Sequence, residues 1–125
     1  MHQKIIIYGV SNNVFPTEND LIQYLSSDIF SVRQGRFRYT QCKDADIIVI
    51  SKLDLVYGHL IVKDKIASSE DDIRAFPPSK CTYLISESIV YGHPVKLYSE
   101  LGIKVTSFGK YITKDQFLEI QEKAN

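Results

Sequence analysis

The sequence predicts a three-layer α/β domain, a mainly parallel sheet of four or five strands with helices on both faces. Three observations lead there. Four apolar runs, Lys4–Gly9, Ala45–Ser51, Cys81–Ser86 and Ile103–Ser107, are continuous rather than alternating, as strands covered on both sides are. Helix-start signals fall between them. Strands and helices then follow one another as β-α-(β)-β-α-β-α-β-α. The 125 residues fit a single domain spanning 1–125 with one core.

Each element has its own local reason. "KIIIYGV" is β-branched and ends at Gly9, from which "SNN" leads into a loop. In "TENDLIQYLSS", Thr17 and Asp20 stand at capping-box spacing, and Leu21, Ile22 and Leu25 share one helical face. "IFSVRQGRFRYTQC" reads as a strand, or as a hairpin turning at Gln34-Gly35. "ADIIVIS" is a second buried strand. In "VYGHLIVKDKIASS" the Leu60–Val62 run suits a strand, but the Val62/Ile66 spacing and the Lys-Asp-Lys face favour a helix. "SSEDDIRAFPPSK" is a surface connection, and "CTYLISE" is a third strand. "HPVKLYSELG" carries Pro94 at the expected first helical position and Gly102 just past the end. "IKVTSF" follows as a fourth strand. The last helix opens on a Thr113/Gln116 capping box and should bury Phe117, Ile120 and Leu118. Ile6, Ile48, Leu84 and Val105 are the expected core residues.

Composition narrows the functional classes. The chain is 44% hydrophobic and 24% charged, which is ordinary for a globular protein. Fifteen basic and fifteen acidic residues cancel, so binding to nucleic acid would need a local patch of charge. Cys42 and Cys81 form no CxxC and no metal-site spacing, and reduced thiols in a cytoplasmic protein are the expectation. No apolar run reaches the ~18 residues of a membrane span. No cofactor is implied.

Three stretches are candidates for chemistry. "LVYGH" at Leu55–His59 is echoed by "IVYGH" at Ile89–His93, each after an apolar run ending in Ile-Ser. A β-to-α turn used twice is the reading, because a metal site needs third and fourth ligands that do not stand out. "YGVSNN" leads from a strand toward a helix, where Gly9, Ser11, Asn12, Asn13 and Thr17 could hold a phosphate or simply satisfy loop backbone groups. "RQGRFRY" interleaves arginine with aromatics. If the stretch is extended, Arg36 and Arg38 share one face, with Lys43 shortly beyond. The alternative is a solvated strand face above a packed Phe37 and Tyr39. No GxSxG, HExxH or paired Cys/His supports catalysis, so a binding role is favoured over an enzyme.

"KIIIYGVSNNVFPTENDLIQYL", "KDADIIVIS", "VKLYSELGIKV" and "ITKDQFLEI" together resemble a BRCT domain of the bacterial DNA-ligase kind. The resemblance covers separated blocks and departs in places: Tyr8 stands where the family has Ser or Thr before the glycine, and Phe117 replaces a tryptophan. An additional α-β unit would lie between Ser51 and about Tyr91. The resemblance implies a non-catalytic module for DNA repair or replication that binds DNA ends, phosphopeptides or protein partners. Gly9 and Lys96 match its phosphate-contacting positions. Two other readings stand beside it. One is a PUA-like reader of modified bases in nucleic acid, whose loop after the first strand is similar but which requires a β-barrel. The other is a small phosphate-handling enzyme on a flavodoxin-like sheet.

Overall fold

The computed structural model describes residues 3–9, 17–26, 36–39, 44–67, 70, 81–104 and 110–124. Side chains of 24, 26, 36–39, 65–67, 81 and 82 are excluded from that description. The elements run β1 (Ile5–Gly9), α1 (Glu18–Ser26), β2 (Arg36–Tyr39), β3 (Ile47–Lys52), β4 (Leu55–Ala67), β5 (Cys81–Lys96), α2 (Leu97–Leu101), β6 (Lys110–Ile112) and α3 (Lys114–Ala124). They form a six-stranded sheet in the order β2-β5-β4-β3-β1-β6.

The sheet is mixed and mostly antiparallel, which overturns the mainly parallel sandwich. Only β1 and β3 run parallel, with Ile5 opposite Ile47 and Gly9 opposite Ser51. The other pairs, β3–β4, β4–β5, β2–β5 and β1–β6, are antiparallel. The physical reason lies at Leu53-Asp54. A parallel neighbour needs a crossover of about a dozen residues or more. Here Lys52 pairs directly with Leu55 across the two-residue turn, so the chain must reverse. The segment expected to be helical, "VYGHLIVKDKIASS", is instead most of the 13-residue strand β4. Strand β5 does not stop at Ser86 but continues for 16 residues through the second Tyr-Gly-His. Between Ser51 and Tyr91 the described segments 55–67 and 81–91 are strand, where a helix-strand unit was expected, and 68–69 and 71–80 lie outside the described residues.

Double coverage of the sheet arises without a parallel arrangement. Ile6, Ile48, Ile50, Leu60, Tyr83 and Ile85 pack on one face with Leu21 and Leu25 of α1. Ile5, Ile7, Ile47, Val49, Val56 and Val95 pack on the other with Leu97 of α2 and Ile120 and Ala124 of α3. Burying each such aliphatic side chain contributes ~1.5–3 kcal/mol. Successive residues of β1 and β3 therefore serve opposite cores, which is why neither run alternates. Ile6 and Ile48 are buried as expected, whereas Leu84 is only half-buried between Tyr83 and Ile85. Val105 lies outside the described residues.

The starts of α1 and α3 were legible. Thr17 and Asp20 cap α1 reciprocally, each side chain accepting from the other's backbone N–H at 3.2 Å. Thr113 and Gln116 do the same for α3 at 2.9 and 3.1 Å. Gly102 ends α2 at φ 67°, a left-handed conformation that glycine adopts without strain. Pro94, expected at the first helical position, is still in β5, and α2 starts at Leu97. Leu118 is exposed rather than buried. The strand expected at Ile103–Ser107 is absent at Ile103 and Lys104, the rest lying outside the described residues. No helix among the described residues is long and apolar enough to cross a membrane.

Candidate nucleic-acid interface

At the carboxyl ends of β1 and β3 the α1 face turns from aliphatic to polar and aromatic. Tyr8 follows Ile6 by two along β1, and Lys52 follows Ile48 and Ile50 along β3, so alternation gives them the same face. A bulge in β4 adds Tyr57. Ile50 pairs with Gly58 but Ser51 pairs with Val56, which leaves Tyr57 as the extra residue. Tyr57 accordingly joins the α1-side core, with Tyr8 and Leu55 packed beside it. Gly58 allows this because a Cβ there would collide with the carbonyl oxygen of Ile89 on β5.

The cluster is electrostatically distinctive. Lys52 is 7% exposed, deep for an ammonium. Burial raises the pKa of Tyr57, and the charge of Glu18 and a side-chain hydrogen bond with it raise it further. Glu18 opens α1 and is itself exposed, so the carboxylate faces water on one side and the Tyr57 hydroxyl on the other. Burial likewise raises the pKa of half-buried Tyr8. The Ser51 hydroxyl donates to the carbonyl oxygen of Tyr8 at 3.3 Å, tying β3 to β1 at this rim. The Tyr57 phenol and the Glu18 carboxylate thus meet at one end of the sheet, where Tyr8 packs against the same core and alternation puts Lys52 on the same face.

The two Tyr-Gly-His copies are not β-to-α turns. They face each other on antiparallel β4 and β5, with Gly58 opposite Val90 and His59 opposite Ile89. His59 is buried on the α3 face, and burial lowers its pKa from 6.5 to about 4, so it is neutral. Its Nδ1 lies 2.7 Å from the Tyr91 hydroxyl, into which the Gln121 side-chain amide donates at 2.6 Å. Both hydrogen bonds form together when Tyr91 accepts from Gln121 and donates to Nδ1, which puts the His59 proton on Nε2. Phe117 meets the imidazole edge-on at 5.2 Å. His93, in contrast, is exposed. Among the described residues no group of three or more His, Cys, Asp or Glu side chains is placed to hold a metal ion.

The residues singled out from sequence fall in two places. Gly9 ends β1, and Lys96 ends β5 opposite Leu55, so both lie toward the Tyr8–Tyr57 rim. Lys96 is thus a strand residue, not one of a second helix. Arg36 and Arg38 lie on β2, opposite Leu84 and Thr82 at the other end of β5. Along β4 that row begins near Asp64, eight residues or roughly 25 Å from Val56. The backbone therefore does not bring β2 to the rim. Ser11, Asn12, Asn13 and Lys43 lie outside the described residues, as does Cys42. Sequence reading missed Tyr8, Glu18, Lys52 and Tyr57 as site residues. The signal available was an apolar strand ending in Ser-Lys, followed by a Tyr-Gly pair.

No known family profile and no curated protein matches the chain. Its fold does match solved structures. A mutant of ZmASCH from Zymomonas mobilis superposes with a TM-score of 0.63 at 9% identity, covering 98% of this chain and 97% of that one. The N-terminal domain of McrB from Thermococcus gammatolerans, bound to m5C DNA, superposes with a TM-score of 0.58 at 10% identity, covering 96% of each chain. At these identities the likeness is one of fold. That fold is shared with an ASCH protein and a McrB N-terminal domain, so the BRCT resemblance does not hold. The assignment to DNA repair or replication made through it falls as well.

Proposed function

We propose that this domain is a non-catalytic reader of nucleic acid that accepts a displaced base, of cytosine type, at the Tyr8–Glu18–Lys52–Tyr57 rim. The observation that carries the reading is the Tyr57–Glu18 hydrogen bond at a sheet end where Tyr8 and Lys52 share the same face. A cytosine edge offers an exocyclic amine and two acceptors. Glu18 suits the amine, Lys52 suits the acceptors, and the tyrosines offer faces or edges to the ring. A 5-methyl group would add apolar contact there. The fold shared with a McrB domain bound to m5C DNA supports the same reading. Lys96, the Gly9–Asn13 stretch and, on a longer ligand, Arg36, Arg38 and Lys43 are the proposed phosphate contacts.

The test is fluorescence anisotropy with short duplexes and single strands, of DNA and of RNA, carrying cytosine, m5C or thymine at one central position. Glu18→Gln is the informative variant, because Glu18 is exposed and its replacement is close in shape. It should weaken binding of the cytosine-type probes by roughly 1–3 kcal/mol and leave the thymine probe nearly unchanged. Affinity should also fall as salt rises. Equal, salt-insensitive and Glu18-independent binding of every probe would sink the reading.

A further inference from the structure

The turn between β3 and β4 carries an unusual residue. Leu53 has φ 57°, the one non-glycine at positive φ among the described residues. A branched apolar side chain is disfavoured there, and hairpins ordinarily place Gly or Asn at such positions. Burial does not compensate, because Leu53 is 78% exposed. Backbone strain retained on an exposed apolar side chain points to a use outside the fold.

The tip is also held firmly. The carbonyl oxygen of Asp54 accepts from the Leu97 N–H, and its carboxylate accepts from the Tyr98 N–H, both at 2.9 Å. This anchors the turn to the start of α2. Its position is specific, two residues beyond Ser51, which pairs with Gly9, and next to buried Lys52. Exposed cationic groups flank it. Lys96 ends β5, and the Lys104 ammonium lies 5.6 Å from the ring centroid of Tyr98, which is itself 57% exposed.

We infer that Leu53 is a wedge, entering a duplex beside the target base and occupying the space that the base vacates. The inference rests on the reader reading above. A base can reach the Tyr8–Tyr57 rim only by leaving its stack, and an inserted apolar side chain offsets the lost stacking. A rigid, strained leucine at the adjoining hairpin tip has the chemistry for that task. Lys96 and Lys104 supply charge for the flanking phosphates.

The experiment compares two DNA duplexes, each with one central m5C, paired with guanine in the first and facing an abasic site in the second. Leu53→Gly removes the side chain while suiting the positive φ, and Leu53→Asn provides a second turn-compatible variant. Both should melt at or above the wild-type temperature. Each should bind the paired duplex roughly tenfold more weakly than wild type, and the abasic duplex within about twofold. A 2-aminopurine beside the m5C should brighten with wild type and not with the variants. If wild type binds both duplexes and the variants match it on the paired one, or lose equally on both, the wedge fails and the reader stands. If wild type binds neither duplex, the wedge fails, and the reader reading is decided separately by the single-stranded and RNA probes.

Discussion

Gly58→Ala tests the architecture at its tightest point. The added Cβ would overlap the carbonyl oxygen of Ile89 and lie 3.2 Å from its carbonyl carbon and 3.3 Å from the Val90 Cα. All three are backbone atoms of β5, so no side-chain rotation relieves the contact. The strands must part by on the order of 1 Å, which takes the adjoining N–H···O bonds beyond useful length. Overpacking costs about 1–3 kcal/mol, and one or two ladder bonds add ~0.5–1.5 kcal/mol each. A loss of about 2–4 kcal/mol is expected, a large share of a typical domain stability.

Urea unfolding followed by circular dichroism measures it. With a slope of about 2 kcal/mol per molar, the midpoint should fall by roughly 1–2 M. Gly92→Ala is the internal control from the second Tyr-Gly-His. Among the described residues a Cβ there meets only the Ala124 carbonyl oxygen, at an ordinary 3.9 Å, and its cost should stay within about 0.5 kcal/mol. If Gly58→Ala also falls within about 0.5 kcal/mol of wild type, the close approach of β4 and β5 is wrong, and the placement of Tyr57 with it.

His59 predicts a pH dependence. Its folded pKa is depressed to about 4 from 6.5, so between those values the unfolded chain binds the extra proton. Stability should be at its full value above pH 6.5, decline as pH falls toward 4, and lose nothing further from this group below that. The ceiling is about 3 kcal/mol, and solvent screening brings the expected loss to ~1–2 kcal/mol. His59→Gln should flatten the profile across that window, and an unchanged slope would refute the assignment. Ile48→Ala, at 1% exposure, should cost ~2–5 kcal/mol in the same unfolding assay, and half-buried Leu84→Ala clearly less. Equal losses at the two sites would mean that the two-core arrangement has been misjudged.

The parts of the fold that depend on neighbours in sequence were readable. Both capping boxes, the α1 face of Leu21 and Leu25, Gly102 at the end of α2 and the buried strands at Ile5 and Ile47 all follow from spacing of a few residues. Strand direction did not follow. A continuous apolar run reports that both faces are covered, and says nothing of whether the next strand is parallel. What decided direction was the two-residue turn at Leu53-Asp54, and this was hidden because Leu53 is a poor turn residue by composition. The same blind spot hid the site. Lys52 and Tyr57 come together through a register shift in β4, and a bulge leaves no periodic trace in sequence.

That shift also accounts for the repeated Tyr-Gly-His better than duplication of a turn does. In β4 the bulge turns Tyr57 toward α1, and Gly58 brings β5 close, so His59 emerges on the α3 face. In β5 the register moves from Val90 opposite Gly58 to Val95 opposite Val56, so Tyr91 through Pro94 fall within the irregular stretch. Tyr91 is buried and bonds His59, while His93 stays in water. The similar letters therefore do complementary work. One tyrosine equips the proposed reading surface, and the other locks the histidine of the first copy beneath α3. Because Gly58 sits between these two outcomes, a disturbance there should reach both faces of the sheet. Gly58→Ala should thus lower stability and weaken Glu18-dependent binding together, whereas His59→Gln, acting on the α3 face alone, should leave that binding intact.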